Sequence, residues 1–572
     1  MRLEPARIPS DSVLDRVTIE TALYAGIFGV ALFLRLFRLD LAPLSESEAA
    51  QAVAALRGMA VPPGASPLLY AVDAFLLSIF SPGDAVVRLA PAVVGASLAL
   101  APALFRDALG RLGALGAAVV LALSPVIVVA SRSLDGEVIA AVCALIIIAA
   151  VERYRSTAGG RYVTFAAVAL GIGLASGSGM YTALLALGAS WLALRLTLRV
   201  GETRVPSPAL PNLMRPALVA IASLVLAATG GLTNASGLAA AGDLFGAWLR
   251  GFGAVGGSSA FDMIQVLIAY ELLALMVGLG GLWRAWRRAD RLGVWLGFAA
   301  IVGISIVVLR SGRRPTDLVA PLAFLALLSA HAIQPWAEAM LAKASLAAEG
   351  VILALGAAML GVMALTLTAY VRATLLPVPV GPVVLHPVLF LLGMFIVLPG
   401  AIGLLLATMV DVAAVLRAAM AIGLALLTLV SIGAGWGAAQ VRAGDPREIV
   451  LGSVVTSTDV RALVDTARQI AVRSQGNTAV LPIRVELEDP VMAWYFRDAN
   501  ILPNQAAPGV LTAAGQQPRV TDATYIGARF ITREAWDTLG LDLENWLEWL
   551  LYRSSGAEQP LPLQAVTLWQ KQ

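Results

Sequence analysis

A chain of 572 residues that is 59% hydrophobic and 13% charged, with a mean hydropathy of +0.82, is far from the roughly 25% charged make-up of soluble domains. That excludes a water-soluble fold for most of its length. A net charge of +3 is too small an excess to imply a nucleic-acid partner, and the single cysteine, Cys143, excludes an intrachain disulfide or a thiolate metal cluster.

Apolar runs centred near 28, 94, 121, 143, 169, 187, 224, 271, 301, 326, 359, 397 and 425 predict about thirteen membrane spans of roughly 20 residues each. The first run, about 18 to 38, is long enough to span and shows no small-residue cleavage site, so it is expected to be a retained helix. An odd number of spans sends the termini to opposite sides. Arginines gather in alternate connections, among them Arg106, Arg111, Arg153, Arg155, Arg161, Arg284, Arg287 and Arg288, so the positive-inside rule expects residues 1–17 to be cytoplasmic and the C-terminus outside. The expected setting is a plasma membrane, crossed many times.

Three outer segments then stand out. The first, about 39 to 82, holds acidic residues and Val61-Pro62-Pro63-Gly64, which forbids a continuous helix. The second, about 233 to 260, is glycine-rich, with an amphipathic piece from Asp243 to Phe252. The third, Arg310-Ser311-Gly312-Arg313-Arg314-Pro315-Thr316-Asp317, is basic on the side where the bias expects few such charges. After about 440 the pattern changes. Residues 1–444 carry 29 basic and 22 acidic side chains, whereas 445–572 carry 11 and 15. A helical stripe runs over 459–473, a strand over 478–485, a helix opens at Asp489-Pro490, and 525–531 is strand-like. The expected organisation is therefore a membrane domain over 18–440 and a small soluble extracytoplasmic α/β domain over 441–572.

The richest chemistry lies just beyond the first span, in Pro43-Leu44-Ser45-Glu46-Ser47-Glu48. A carboxylate at the end of a span reaches both water and the headgroup level, where the reactive carbon of a lipid-phosphate-linked sugar sits, and can take a proton from an acceptor hydroxyl. The same residues also spell a helix start, with Ser45 as N-cap and Glu48 closing a capping box. Arg310, Arg313 and Arg314 are candidates for holding a phosphate, because the guanidinium fork matches phosphate oxygens; the alternative is snorkelling to headgroups. Glu271 falls in mid-span, where a carboxylate is costly and usually paired or protonated. His331 and His386 are isolated and support no zinc site.

The order of motifs resembles the GT-C superfamily of membrane glycosyltransferases that use polyprenyl-phosphate sugars. The resemblance extends to protein O-mannosyltransferases, lipid A aminoarabinose transferases and a flippase-associated prokaryotic branch. It is carried by Pro43-Leu44 and Glu48-Ala49, Ser66-Pro67-Leu68-Leu69-Tyr70, Arg88-Leu89-Ala90-Pro91-Ala92, and Leu123-Ser124-Pro125 leading to Ser131-Arg132 and Asp135. It continues in Arg313-Arg314-Pro315 before Ala320-Pro321-Leu322, and in the tail piece Ala493-Trp494-Tyr495-Phe496-Arg497-Asp498. The resemblance implies an α-helical GT-C-like membrane fold and an inverting transfer from a polyprenyl-phosphate-linked sugar to a glycan, lipid or protein acceptor, within the lipid bilayer. It implies Glu48, Glu46 and Asp135 as catalytic candidates, Arg313, Arg314, Arg310 and Arg132 at the donor phosphate, and Tyr70 and Glu271 as further site residues. A divalent cation, Mg or Mn, held by Glu46, Glu48 and Asp135 is the one cofactor left open. One departure matters: Ser47 stands where the family carries its catalytic Asp. The alternative is thus a flippase-associated protein that binds lipid-linked glycans without catalysis. A secondary transporter would need inverted repeats and several mid-membrane charges, and Glu271 alone qualifies.

Overall fold

The computed structural model describes residues 18–197, 213–254, 256–342, 412–476, 481–499, 507–519, 524–553 and 559–571, with short pieces between 350 and 409. Residues 1–17, His386 and most of the runs expected near 359 and 397 lie outside the described residues. Along the chain the helices are α1 (Ile19–Leu36), α2 (Glu46–Arg57), α3 (Pro67–Ile79), α4 (Asp84–Val87), α5 (Leu89–Leu98), α6 (Arg106–Leu109), α7 (Arg111–Leu123), α8 (Pro125–Ser131), α9 (Glu137–Thr157), α10 (Gly160–Ser176) and α11 (Gly179–Thr197). Then follow α12 (Met214–Ala228), α13 (Ser236–Arg250), α14 (Ala260–Tyr270), α15 (Leu272–Arg287), α16 (Arg291–Leu309), α17 (Val319–Ala342), α18 (Leu398–Met409) and α19 (Val412–Trp436).

Among the described residues, six helical stretches are long and apolar enough to cross a membrane, or up to eight if each of two bent pairs is one span. The expectation of about thirteen equal spans is therefore too regular. The runs near 169 and 224 form helices of 17 and 15 residues, and the expected outer segment 39–82 contains an apolar helix of its own, α3. Two runs are broken. The chain bends by 58° between α7 and α8 and by 87° between α14 and α15. Pro125 explains the first break: it pushes Ser124 out of the helical region, to φ −56° and ψ 116°, and restarts the helix at its own position.

The two breaks meet. Glu271, at the second, accepts from Ser124 Oγ at 2.6 Å and from the Val126 N–H at 2.9 Å. The N-terminus of α8 has unpaired N–H groups and a positive end, so an acidic acceptor there offsets part of the cost of burying a carboxylate. Arg132 does the reverse for α1. Its guanidinium donates to the carbonyls of Leu34, Arg35, Phe37 and Arg38, which the helix end leaves without partners.

The tail adds α20 (Asp459–Gln475), α21 (Pro490–Tyr495) and α22 (Leu543–Tyr552) to the strands β3 (Val454–Thr456), β4 (Ile483–Val485), β5 (Gly509–Ala513), β6 (Tyr525–Ala535) and β7 (Leu561–Lys571); β1 (Val378–Val380) and β2 (Val383–Leu385) form a separate hairpin. The sheet order is β3-β6-β7-β5-β4, antiparallel except for the parallel pair β4 and β5. The helical stripe read from the sequence is buried as expected at Val460, Leu463, Val464, Ala467 and Ile470. The chain divides into two compact units, 1–332 with 431–572, and 333–430. The tail thus belongs to the same unit as the first helices, and no division falls at 440. One apolar cluster joins Leu44, Ala49 and Ala52 to Val491, Met492 and Trp494. Alanines on α2 leave room for α21 to lie close against it.

Candidate active site

Beyond α1, Ser45 caps α2 through a complete capping box: its side chain accepts from the Glu48 N–H, and Glu48 Oε2 accepts from the Ser45 N–H at 2.8 Å. Glu48 is then drawn into a buried pair. Arg88 donates Nε to Oε1 at 2.9 Å and Nη2 to Oε2 at 2.8 Å, and the Leu134 N–H donates to Oε1 at 2.7 Å. Burial alone would raise its pKa, but the Arg88 charge and these hydrogen bonds outweigh burial and hold the carboxyl below its ordinary range. Four donors leave this carboxylate little capacity to take a proton. The spare donors of Arg88 go to the carbonyls of Leu39, Ala42 and Pro43, so the pair fixes the whole turn between α1 and α2.

This turn forms one wall of a cavity of about 490 Å³. Ser45, Ser47 and Glu48 line it on one side; Arg132, Asp135 and Glu137 on another; Ser176–Ser178, Gly257–Ser258, Arg313–Thr316 and residues 450–456 of the tail complete it. Asp135 and Arg314 are its most open ion pair. Arg314 Nη1 lies 3.1 Å from Asp135 Oδ2, with the Arg314 side chain 50% exposed and that of Asp135 15% exposed. Thr316 Oγ1 also donates to Asp135 Oδ2, at 3.0 Å. Arg314 further approaches Glu137 Oε1 at 3.5 Å and Asp317 Oδ1 at 3.7 Å. Glu137 is buried and accepts from Ser178 Oγ at 2.9 Å and the Gly179 N–H at 3.0 Å. Glycines make this approach possible. A Cβ on Gly136 would lie 1.6 Å from the Ser176 carbonyl oxygen, and one on Gly179 would lie 1.6 Å from Glu137 Oε2.

Of the residues singled out from the sequence, Glu48, Asp135, Arg132, Arg313 and Arg314 line this cavity. Glu46 does not. It is on the solvent side of α2, with its side chain 55% exposed and ion-paired to Arg533 of β6 at 2.6 Å. Arg310 is buried behind the cavity, paired to Asp317 at 3.3 Å. Arg313 donates Nε to the Arg310 carbonyl and Nη1 to the Ser258 carbonyl. Tyr70 is buried and donates to the carbonyls of Ala54 and Met59, where it holds the end of α2 rather than facing the cavity. Glu271 is held at the crossing of the two broken helices, as described. The carboxylates expected around a cation do not assemble, because Glu46 is committed to Arg533 and the Glu48 oxygens to Arg88, Ser45 and Leu134. Among the described residues, no group of three or more His, Cys, Asp or Glu side chains is placed to hold a metal ion.

Sequence reasoning quoted Arg88 within a motif and placed Glu137 on the same loop as Asp135, but assigned neither to the site. The tail motif is the other omission. Asp84 accepts from Trp494 Nε1 at 2.8 Å and from the Tyr495 hydroxyl at 2.7 Å, while the Leu44 N–H donates to that hydroxyl at 3.0 Å. Arg497 Nη2 donates to the Pro82 carbonyl at 2.9 Å. The tail thereby grips the turn that carries Ser45 to Glu48, and burial with the Asp84 carboxylate beside it raises the Tyr495 pKa. An aromatic-arginine cluster in a polar tail was the one available signal.

No protein-family model matches the sequence, and no curated protein sequence does. Solved structures do. ArnT from Cupriavidus metallidurans bound to undecaprenyl phosphate is 16% identical with a TM-score of 0.51, the match covering 85% of each chain. The same protein in its apo state is 17% identical with a TM-score of 0.50, over 86% of this chain and 87% of that one. The oligosaccharyltransferase of Archaeoglobus fulgidus matches at 14% identity and a TM-score of 0.40, over 57% of this chain and 52% of that one. With its apolar helices, its broken spans and a likeness to ArnT that runs through most of both chains, this protein has the fold of the GT-C superfamily of membrane glycosyltransferases.

Proposed function

We propose that the chain is an integral-membrane glycosyltransferase that moves one sugar, with inversion, from a polyprenyl-phosphate donor to an acceptor hydroxyl. The observation that supports this reading best is the cavity itself: Asp135, Arg313 and Arg314 share one space of about 490 Å³ in a chain with the GT-C fold. In the proposed step the acceptor oxygen forms a bond to the anomeric carbon, the bond from that carbon to the phosphate oxygen breaks, and the hydroxyl proton passes to Asp135. Polyprenyl phosphate leaves with the negative charge, which Arg313 and Arg314 neutralise. Arg314 couples the two roles. A phosphate that takes its guanidinium competes with Asp135 for it, and a carboxylate that loses a cationic partner becomes a better base. Glu48 is assigned to shape rather than proton transfer, since its oxygens already accept four hydrogen bonds. No step is routed through a cation. The arginine distribution supports a cytoplasmic N-terminus with the cavity and tail on the outer face.

One observation favours the second reading, a non-catalytic binder of lipid-linked glycans: Ser47, which lines the cavity, has no carboxylate to offer. Purified protein with radiolabelled polyprenyl-phosphate sugars and membrane acceptors separates the two. Release of polyprenyl phosphate that falls about 100-fold in Asp135→Asn supports transfer with Asp135 as base. Undiminished release in that variant removes Asp135 from the role, and tight donor binding with no release by the wild-type chain establishes the binder.

A further inference from the structure

Resting on the transferase reading, the acceptor side of the same cavity is informative. The wall formed by residues 450–456 contains β3, which is an edge strand: the sheet order begins at β3 and its one neighbour is β6. In an antiparallel ladder, alternate residues turn both backbone polar groups toward the partner and the residues between turn both away. The Ser457 N–H donates to the Thr532 carbonyl at 2.9 Å, and in the same register Val455 faces Glu534, so Val455 bonds to β6. Val454 and Thr456 then point their N–H and C=O groups to the free edge. Among the described residues neither has a backbone partner, although Thr456 is only 5% exposed. Backbone groups at so buried a position are seldom left unpaired in a finished assembly. The side chain of Thr456 is fixed by a hydrogen bond to the Leu44 carbonyl at 2.9 Å, which ties this edge to the turn before α2.

We infer that the free edge of β3 docks the acceptor, and that the acceptor is an extended polypeptide added as a further strand beside the cavity. Main-chain pairing supplies the affinity and is tolerant of sequence. A strand there lies in the same cavity as Ser47 and Asp135, and its side chains alternate in direction, so every second residue presents a hydroxyl to the same side. A free glycan or a lipid acceptor offers no repeating pair of donor and acceptor to match Val454 and Thr456. The edge is short, so binding is weak and depends on a few main-chain bonds.

The test uses the full chain in detergent and a fluorescein-labelled peptide, Ala-Val-Ala-Ser-Ala-Val-Ala, followed by fluorescence anisotropy and by mass shift on addition of polyprenyl-phosphate sugars. N-methylation of the peptide at alternate residues should weaken binding about tenfold in one phase of the alternation and leave the other phase unchanged. Val454→Pro, which removes an N–H that does not serve the sheet, should weaken the unmodified peptide by a similar factor. The N-methyl series on the wild-type chain stands even where that variant misfolds. Loss that ignores the alternation, no peptide binding at millimolar concentration, or carrier release driven by an oligosaccharide and not by peptide overturns the inference. Peptide binding with the alternating pattern but no carrier release sustains the docking edge and instead sinks the transferase reading.

Discussion

Two walls of one cavity carry acidic residues and treat them in opposite ways. On the α2 wall, Glu48 is 5% exposed, bidentate to Arg88, and supplied with two further backbone donors. On the wall formed by 132–137 and 313–316, Asp135 shares a guanidinium that is half exposed and already divided among three carboxylates. A carboxylate whose lone pairs are all claimed by buried donors holds a shape. One whose partner can be drawn off by an incoming phosphate is free to change its charge. The comparison assigns architecture to the first wall and chemistry to the second.

The largest expected effect breaks the first wall. Arg88→Met leaves Glu48 charged and buried without its partner and should destabilise the protein by about 3–5 kcal/mol, read as thermal unfolding in detergent. Melting unchanged by the substitution would erase the distinction between the walls. The second wall should respond in activity instead. Asp135→Asn should lower carrier release about 100-fold while shifting stability by less than about 1 kcal/mol, as expected for a partly exposed pair. A smaller effect is expected where the tail meets the first wall. Tyr495→Phe removes the hydroxyl between Leu44 and Asp84 and should cost about 1–2 kcal/mol, measured in the same melts. The subtlest is a pH dependence. Because the Glu48 carboxyl sits below its model value of 4.5, its ionised pair stabilises the protein above that pH and loses the contribution as pH falls through the lowered value. Glu48→Gln should flatten the acid limb of melting temperature against pH; an unchanged limb would show that Glu48 is not the group involved.

Much of the outline was legible beforehand, for reasons that differ from residue to residue. The Ser45–Glu48 capping box could be read because it needs only four consecutive residues. The helix over Asp459–Gln475 could be read because its apolar stripe repeats every three or four positions. Thirteen equal spans could not hold, since hydropathy counts apolar length and does not see that Pro125 restarts a helix or that Glu271 sits at a break. The role of Glu48 was ambiguous for a related reason. A capping carboxylate and a catalytic one have the same letter, and the difference is whether Arg88, 40 positions away, reaches it. Glu46 and Glu48 lie two apart, which on a helix puts them on different faces, yet which face would meet the cavity depended on where the tail packs.

By itself the sequence determined that this is a membrane chain, where its apolar helices run, that a polar α/β tail follows, and that acidic and basic loops are spaced as in a GT-C protein. Those are consequences of composition and of short-range periodicity. Only the tertiary structure decided which charges are spent and which are available. Arg132 is consumed by the end of α1, Arg310 by Asp317, Glu46 by Arg533 and Glu48 by Arg88, leaving Asp135 and Arg314 as the open pair beside a free strand edge. The physical reason is that a charged side chain takes its character from the donors and acceptors within about 3 Å of it, and in a folded chain those come from residues that no local pattern brings together.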